Sequence, residues 1–284
     1  MPLPNTISID KLLRLIGRPD CPTLIDVCTE EDFACDPRLV PGAVRRSHTK
    51  VSEWAPEFAG RPAVVICQKG LKLSQGVAAW LRHEGIPADS MEGGALGWAG
   101  ANLPMVPEAK LPPRNAQGRT VWVTRSRPKV DRIACPWLIR RFVDPGAVFL
   151  FVNPSEVQGV ADRFGATPFD IDGEGVFWSH RGERCTFDVM IEEFGLGALE
   201  PLQHLATIVR GADTARPDLA PEAPGLLAVS LGLSRMYSDD LAQLEAGITI
   251  YDAFYRWCRD AKDETHNWPA AKPRELPRTR TAPR

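Results

Sequence analysis

The stretch AVVICQKGLKLSQGVAAWLR, residues 63–82, carries the decisive pattern. An apolar β-type run, Ala63–Ile66, ends in Cys67, a short loop with Gly70 follows, and the spacing then predicts a helix over Ser74–His83. A second run of the same kind, Leu24–Val27, follows a helical pattern at Ile9–Ile16. Strands alternating with helices imply an α/β parallel sheet with helices on both faces, whose ligands gather at the carboxyl ends of the strands. Asp26, Cys28 and Cys67 all fall at such ends. The backbone N–H groups of Gln68, Lys69, Gly70 and Leu71, with the positive end of the next helix, are expected to suit a thiolate or the persulfide made from it, and Lys69 and Lys72 add charge at the rim. The competing reading of Cys67 is an inert core thiol.

Around this stretch the chain has the composition of an ordinary folded protein. Its 284 residues, at roughly 100–200 per domain, predict two domains, and 44% hydrophobic with 25% charged residues excludes a fibrous or disordered chain. With 34 basic against 36 acidic side chains, no global charge draws it to nucleic acid or to an anionic membrane. No apolar run approaches the ~18 residues of a membrane span, and the first residues lack a signal-peptide pattern, so a cytoplasmic protein is expected. Seven cysteines, an odd and sparse set, fit a reducing compartment better than a disulfide scaffold. Prolines set the boundaries: a first domain over residues 1–107, a proline-rich linker over 108–119, a second domain over 120–268, and a basic tail over 269–284 that is expected to be disordered.

The second domain reads as α+β with a helical C-terminal half. Strands are expected at Thr120–Thr124 and Ala147–Val152, helices up to Phe142 and over Ser155–Phe164, Ala198–Ile208 and Asp239–Ala261, and a hairpin over Gly175–Asp188. TRSRPKVDRIACPWLIRRFVD, residues 124–144, is rich in arginine. Proline suits the first turn of a helix, which places the helix start at Pro136 and Cys135 near the N-cap with a lowered pKa. Arg125, Arg132 and Arg140 then become candidates for an oxyanion pocket, against the alternative of structural ion pairs. In FWSHRGERCTFD, residues 177–188, a turn at Arg181–Arg184 sets His180 opposite Cys185, with Cβ atoms ~4.5–5.5 Å apart. Such a pair can share a transition metal, completed by Asp213, His204, Asp239 or Asp240; equally it can be a polar pair buried for packing.

Over roughly residues 5–104 the sequence resembles the rhodanese family of sulfurtransferases, through LIDV with Asp26, EEDF with Glu30 and Phe33, VPGA at 40–43, the loop CQKGLK and EGGALGW at 92–98. The resemblance implies a rhodanese-like sheet and a rhodanese-type enzyme in which Cys67 takes sulfur from a small donor as a persulfide and passes it to a thiol acceptor. Cys67, Asp26 and Lys72 are its implied catalytic set. Lys72 stands where the family often has arginine, which keeps the charge and loses the bidentate fork, and Leu73 argues against phosphatase chemistry.

Over about residues 120–262 the sequence resembles the C-terminal domain of ChrB, the bacterial chromate-resistance protein, through WVTRSRPKVDRIACPWLIRRFVDP, PFDI, HRGERC, IVRGAD and YDAFYRWCRD. This implies a role in oxyanion or metal stress, with chromate or sulfate as an anionic ligand. The expected function joins the two: persulfide formation on Cys67 coupled to a chromate-resistance domain. The alternative is a non-enzymatic chromate or redox sensor of a resistance system.

Overall fold

A computed structural model of the chain describes residues 5–173 and 175–264. The tail 269–284 lies outside the described residues. In the N-terminal half five parallel strands lie in the order Thr6–Ile7, Ala88–Met91, Ala63–Ile66, Thr23–Asp26, Ala43–Arg45. This is the parallel sheet expected from the alternating pattern, and the strand Ala63–Ile66 sits at its centre, buried throughout. The helix after it, Lys72–His83, begins two residues before the apolar periodicity does.

Period-two alternation divides the sheet's side chains between two cores. Ile25, Val27, Val65 and Cys67 face one side, with Val77, Ala78 and Leu81 of the helix Lys72–His83. Leu24, Val64 and Ile66 face the other side and join a large cluster that runs on through Trp122, Trp137, Phe142, Phe187 and Tyr255. The two halves of the chain therefore share apolar core. Residues near the proline-rich segment take part: Val106–Pro107 pairs antiparallel with Arg38–Leu39, and Arg114 forms a bridge with Thr120.

In the C-terminal half three parallel strands, Thr167–Pro168, Val121–Arg125 and Val148–Val152, support the helix Asp131–Phe142. The helices Thr186–Glu193, Glu200–Asp213, Ala223–Met236 and Asp240–Asp260 make the C-terminal part helical, as expected, although Ala223–Met236 was not anticipated. Among the described residues, no helix is long and apolar enough to cross a membrane.

The helix expected to start at Pro136 starts instead at Asp131. Long-range contacts hold its first turn: Ser230 accepts from the Val130 N–H, Tyr251 donates to the Val130 carbonyl, and Gln243 donates to the Pro128 carbonyl. With the first turn held this way, the chain tolerates Pro136 inside the helix. Cys135 is accordingly interior and fully buried, and desolvation pushes its pKa well up, the reverse of the expected lowering.

Phe142 ties the halves together. Its ring meets Trp137 and Tyr255 at 5.7 and 5.5 Å, and its carbonyl accepts from the Gly42 N–H at 2.6 Å. A Cβ on Gly17 would come within 2.4 Å of the same ring, so the N-terminal backbone lies directly on it. Phe142→Ala is expected to cost about 3–5 kcal/mol. Denaturant unfolding measures that loss, and hydrogen exchange should show weakened protection both around Gly17–Ala43 and in Asp240–Asp260. Loss confined to the C-terminal half would mean that the halves are energetically independent.

Candidate functional site

Cys67 follows the central strand and is 4% exposed. Its thiol donates to Ser74 Oγ at 3.2 Å, and Ser74 in turn donates to the Leu71 carbonyl at 3.2 Å. The loop turns at Gly70, with φ +68°, and packs on the turn Gly93–Gly94. Cys67 and Gln68 carbonyls accept from the Ala95 and Leu96 N–H groups, both at 3.0 Å. A Cβ on Gly94 would lie 2.2 Å from the Cys67 carbonyl oxygen, so only glycine permits this approach. Among the described residues, the N–H groups of Gln68, Lys69, Gly70 and Leu71 make no hydrogen bond. Lys69, Leu71 and Lys72 form an exposed rim, and Gln68 is half-buried.

Asp26 is placed differently from the loop. Its carboxylate is buried, accepts from the Cys28 N–H at 3.0 Å and from the Cys28 thiol at 3.5 Å, and faces Arg45 at 3.5 Å. Burial raises its pKa, against the lowering effect of the Cys28 N–H and Arg45. Burial likewise raises the pKa of the Cys28 thiol, helped by Asp26. Asp26 thus orders the strand end and Cys28, beside the Cys67 loop.

A second constellation forms in the C-terminal half. His180 Nε2 lies 3.3 Å from Asp170 Oδ1, 3.3 Å from Asp213 Oδ2 and 3.7 Å from Asp131 Oδ2. Four separate segments supply these residues. Asp131 opens the buried helix, Asp170 follows the strand Thr167–Pro168 with φ +50°, His180 precedes the Arg181–Arg184 turn, and Asp213 ends the helix Glu200–Asp213. Asp131 is fully buried, and desolvation together with Asp213 and Asp170 pushes its pKa well up. The Asp170 and Asp213 carboxylates raise the pKa of His180 to about 10. Burial pushes Asp170 up, but His180 and Thr186 bring it below its usual value overall.

Among the described residues the expected hairpin is reduced to one antiparallel bridge, Arg181 to Arg184, in the register that sets His180 opposite Cys185, but Cys185 is the N-cap of the helix Thr186–Glu193 and not a strand residue. Its buried thiol donates to Asp188 at 3.3 Å, and Asp188 accepts from the Cys185 N–H in a reciprocal cap. Ligand atoms of Asp131, Asp170 and His180 all lie within 4.8 Å of one another, and Asp213 adjoins them. The other residues named as completing the set are elsewhere. His204 packs on Trp257, Asp239 caps the last helix, and Asp240 accepts from the Arg127 N–H.

The arginines also separate. Arg132 and Arg125 reach Asp170 Oδ2 at 3.3 and 4.0 Å, at the edge of the constellation. Arg140 does not join them: it lies at the far end of the helix, roughly 12 Å along its axis from Arg132, and pairs with Glu245 at 2.5 Å. Sequence reasoning missed Asp131 and Asp170. Each is an aspartate beside apolar neighbours, in KVDRI and PFDI, and that was the available signal.

Residues 122–258 match the family model described as the ChrB C-terminal domain. The chain is similar to protein ChrB of Cupriavidus metallidurans, 37% identical over 143 residues, which is 50% of this chain and 42% of that protein. It thus spans less than half the length of the curated relative that it matches. Among solved structures it is similar to a thiosulfate sulfurtransferase from Pseudomonas aeruginosa, with TM-score 0.33 and 23% identity over 37% of this chain and 20% of that one. A rhodanese-related protein from Thermoplasma volcanium gives TM-score 0.33 and 21% identity over 37% of this chain and 99% of that one. A rhodanese-like domain protein from Staphylococcus aureus gives TM-score 0.30 and 24% identity, over 33% of this chain and 90% of that one. In the C-terminal half, residues 122–258 thus match the ChrB C-terminal domain model, and the similar solved structures include rhodanese-like domains.

The tight approach at Gly94 yields a direct test. Gly94→Ala should push the Cys67 loop outward, so that iodoacetamide alkylates Cys67 faster than in the unaltered chain. Peptide mass spectrometry gives the rate, and far-UV circular dichroism shows whether the fold is kept. An unchanged rate in a folded variant would mean that this contact does not hold the loop closed.

Proposed function

We propose that the chain is a persulfide-forming sulfurtransferase acting in chromate resistance, the second part supported by the match of residues 122–258 to the ChrB C-terminal domain. The observation that carries this reading is the loop after Cys67: four successive N–H groups without a hydrogen bond among the described residues, next to a thiol at a strand end and a helix N-terminus. Such a loop can surround the charged terminal sulfur of a persulfide, which needs several donors at once. Ser74, which already accepts from the thiol, can turn its hydroxyl to donate to a thiolate.

With thiosulfate as donor, the Cys67 proton leaves to solvent and the thiolate attacks the outer sulfur. A new S–S bond forms, the bond between outer and central sulfur breaks, and sulfite departs with the electron pair. The anionic persulfide then rests against the loop N–H groups. In the second step an acceptor thiolate attacks the terminal sulfur, carries it off as its own persulfide and regenerates the Cys67 thiolate. This is covalent catalysis in two displacements. Chromate consumes thiols, so a carrier of activated sulfur fits a resistance role.

Intact-mass spectrometry after exposure to thiosulfate or an organic persulfide should show one added, reducible sulfur that disappears in Cys67→Ser. No adduct with any of these donors would overturn the transferase reading and favour the sensor.

Lys72 opens the helix at the exposed rim and attracts the anionic donor by charge alone. Lys72→Ala should raise the donor KM several-fold with little change in kcat, whereas Lys72→Arg should retain activity. Equal KM values in all three proteins would remove Lys72 from the mechanism.

A further inference from the structure

We propose that Asp131, Asp170, His180 and Asp213 form a binding site for one divalent first-row transition-metal cation, open on its solvent side to an exchangeable oxygen ligand. This goes beyond the sulfur chemistry at Cys67 and does not depend on it.

Spacing is the first argument. Metal–nitrogen and metal–oxygen bonds of about 2.0–2.2 Å, at angles between octahedral and tetrahedral, place neighbouring ligand atoms roughly 3.0–3.4 Å apart. His180 Nε2 stands 3.3, 3.3 and 3.7 Å from its three carboxylate oxygens. A charge-assisted N–H···O bond is shorter, about 2.7–2.9 Å, and one ring N–H cannot be aimed at three acceptors. Ligand atoms of Asp131, Asp170 and His180 all lie within 4.8 Å of one another, close enough to share one ion, and Asp213 adjoins them through His180.

Unpartnered buried atoms are the second. Asp131 is 0% exposed, yet among the described residues its Oδ1 makes no hydrogen bond, and the buried Nε of Arg125 beside Asp170 makes none either. Buried polar atoms are rarely left this way unless an ion or ligand completes them. Charge is the third: among the described residues Arg132, at 3.3 Å from Asp170, and Arg125, at 4.0 Å, face three carboxylates, so with a neutral imidazole giving its Nε2 lone pair to an ion the group is one positive charge short, which a divalent cation supplies.

The surrounding contacts hold the carboxylates in place, as ligands require. Thr186 donates to Asp170 Oδ1 at 2.8 Å, Phe187 N–H to Asp131 Oδ2 at 3.2 Å, and Asp131 N–H to Asp213 Oδ1 at 3.4 Å. Three oxygens and one imidazole, with the Cys185 thiol turned to Asp188, favour Mn²⁺, Fe²⁺, Co²⁺ or Zn²⁺ over soft Cu⁺. The His180 side chain is 41% exposed, which leaves a solvent-facing coordination position near Arg125 and Arg132. Water or an oxyanion fits there.

The test uses the full chain, stripped with a chelator and dialysed separately against Mn²⁺, Fe²⁺ under anaerobic conditions, Co²⁺ and Zn²⁺, with bound metal read by elemental analysis. About one ion per chain is expected with at least one of the four, and Mn²⁺ binding should alter the ion's electron paramagnetic resonance spectrum. Asp131→Asn, Asp213→Asn and His180→Gln should each weaken binding at least tenfold. Cys185→Ser and Cys67→Ser should leave the stoichiometry intact. If Asp131→Asn fails to fold, the more exposed His180→Gln and Asp213→Asn decide the matter. The proposal is overturned if all four ions fail to bind, if the ion remains in both His180→Gln and Asp213→Asn, or if folded Cys185→Ser loses it.

Discussion

A carboxylate at zero exposure, Asp131, constrains the elements packed around it in the C-terminal half. It sits in the first turn of a helix with nine buried residues of twelve, where water is excluded and a lone charge costs several kcal/mol. Relief comes from the helix's own positive end, from the Phe187 N–H and from His180. Each source fixes a neighbour. The Phe187 contact requires the helix Thr186–Glu193 to begin beside Asp131, which the Cys185–Asp188 cap and the Arg210–Asp188 ion pair secure. His180 must then reach back over the Arg181–Arg184 turn, and Asp170 adopts a left-handed backbone, costly for a non-glycine residue, to meet it.

The legible part of this molecule was the part governed by local periodicity. Ala63–Ile66 is a strand because four apolar residues run into a polar loop, and it is one within any parallel sheet. Asp213 was one of four residues named as completing a site at His180, and the fold brings its carboxylate to 3.3 Å from that imidazole. Misreadings arose where distant contacts overrode local chemistry. Pro136 signals a helix start by itself, but Ser230, Tyr251 and Gln243, about a hundred residues away, set the start at Asp131. Cys185 looked like a strand residue opposite His180, although Asp188 three positions on marks a capping pattern in which a thiol replaces the usual hydroxyl. The basic residues of 124–144 drew attention from Asp131 among them, and only the folded chain shows that Arg140 and Arg141 serve the last helix through Glu245 and Asp252.

The two candidate sites sit on different sides of one packing arrangement. In the strand Ala63–Ile66 the side chains of Val64 and Ile66 enter the core shared with the C-terminal half, while Val65 and the following Cys67 enter the core on the opposite face. The sheet thus stands between the thiol and the shared core. The helix Gly94–Gly100 touches both sides: its Ala95 N–H holds the Cys67 carbonyl, and its Trp98 is fully buried in the shared cluster, donating to the Pro104 carbonyl at 2.8 Å.

That helix gives the arrangement a thermodynamic consequence. A ligand that binds only the folded state stabilises whatever unfolds together with its site, by about 2.7 kcal/mol at a hundredfold excess over its Kd. Phe142, Trp98 and Tyr255 belong to one cluster, so a ligand at Asp131 raises the free energy needed to loosen Trp98 as well, provided the cluster opens as a unit. Closure of the Cys67 loop rests on the Trp98 helix through Gly94 and Ala95. A ligand held at the carboxylate site would by this route make the thiol harder to expose, without any group passing between the two sites.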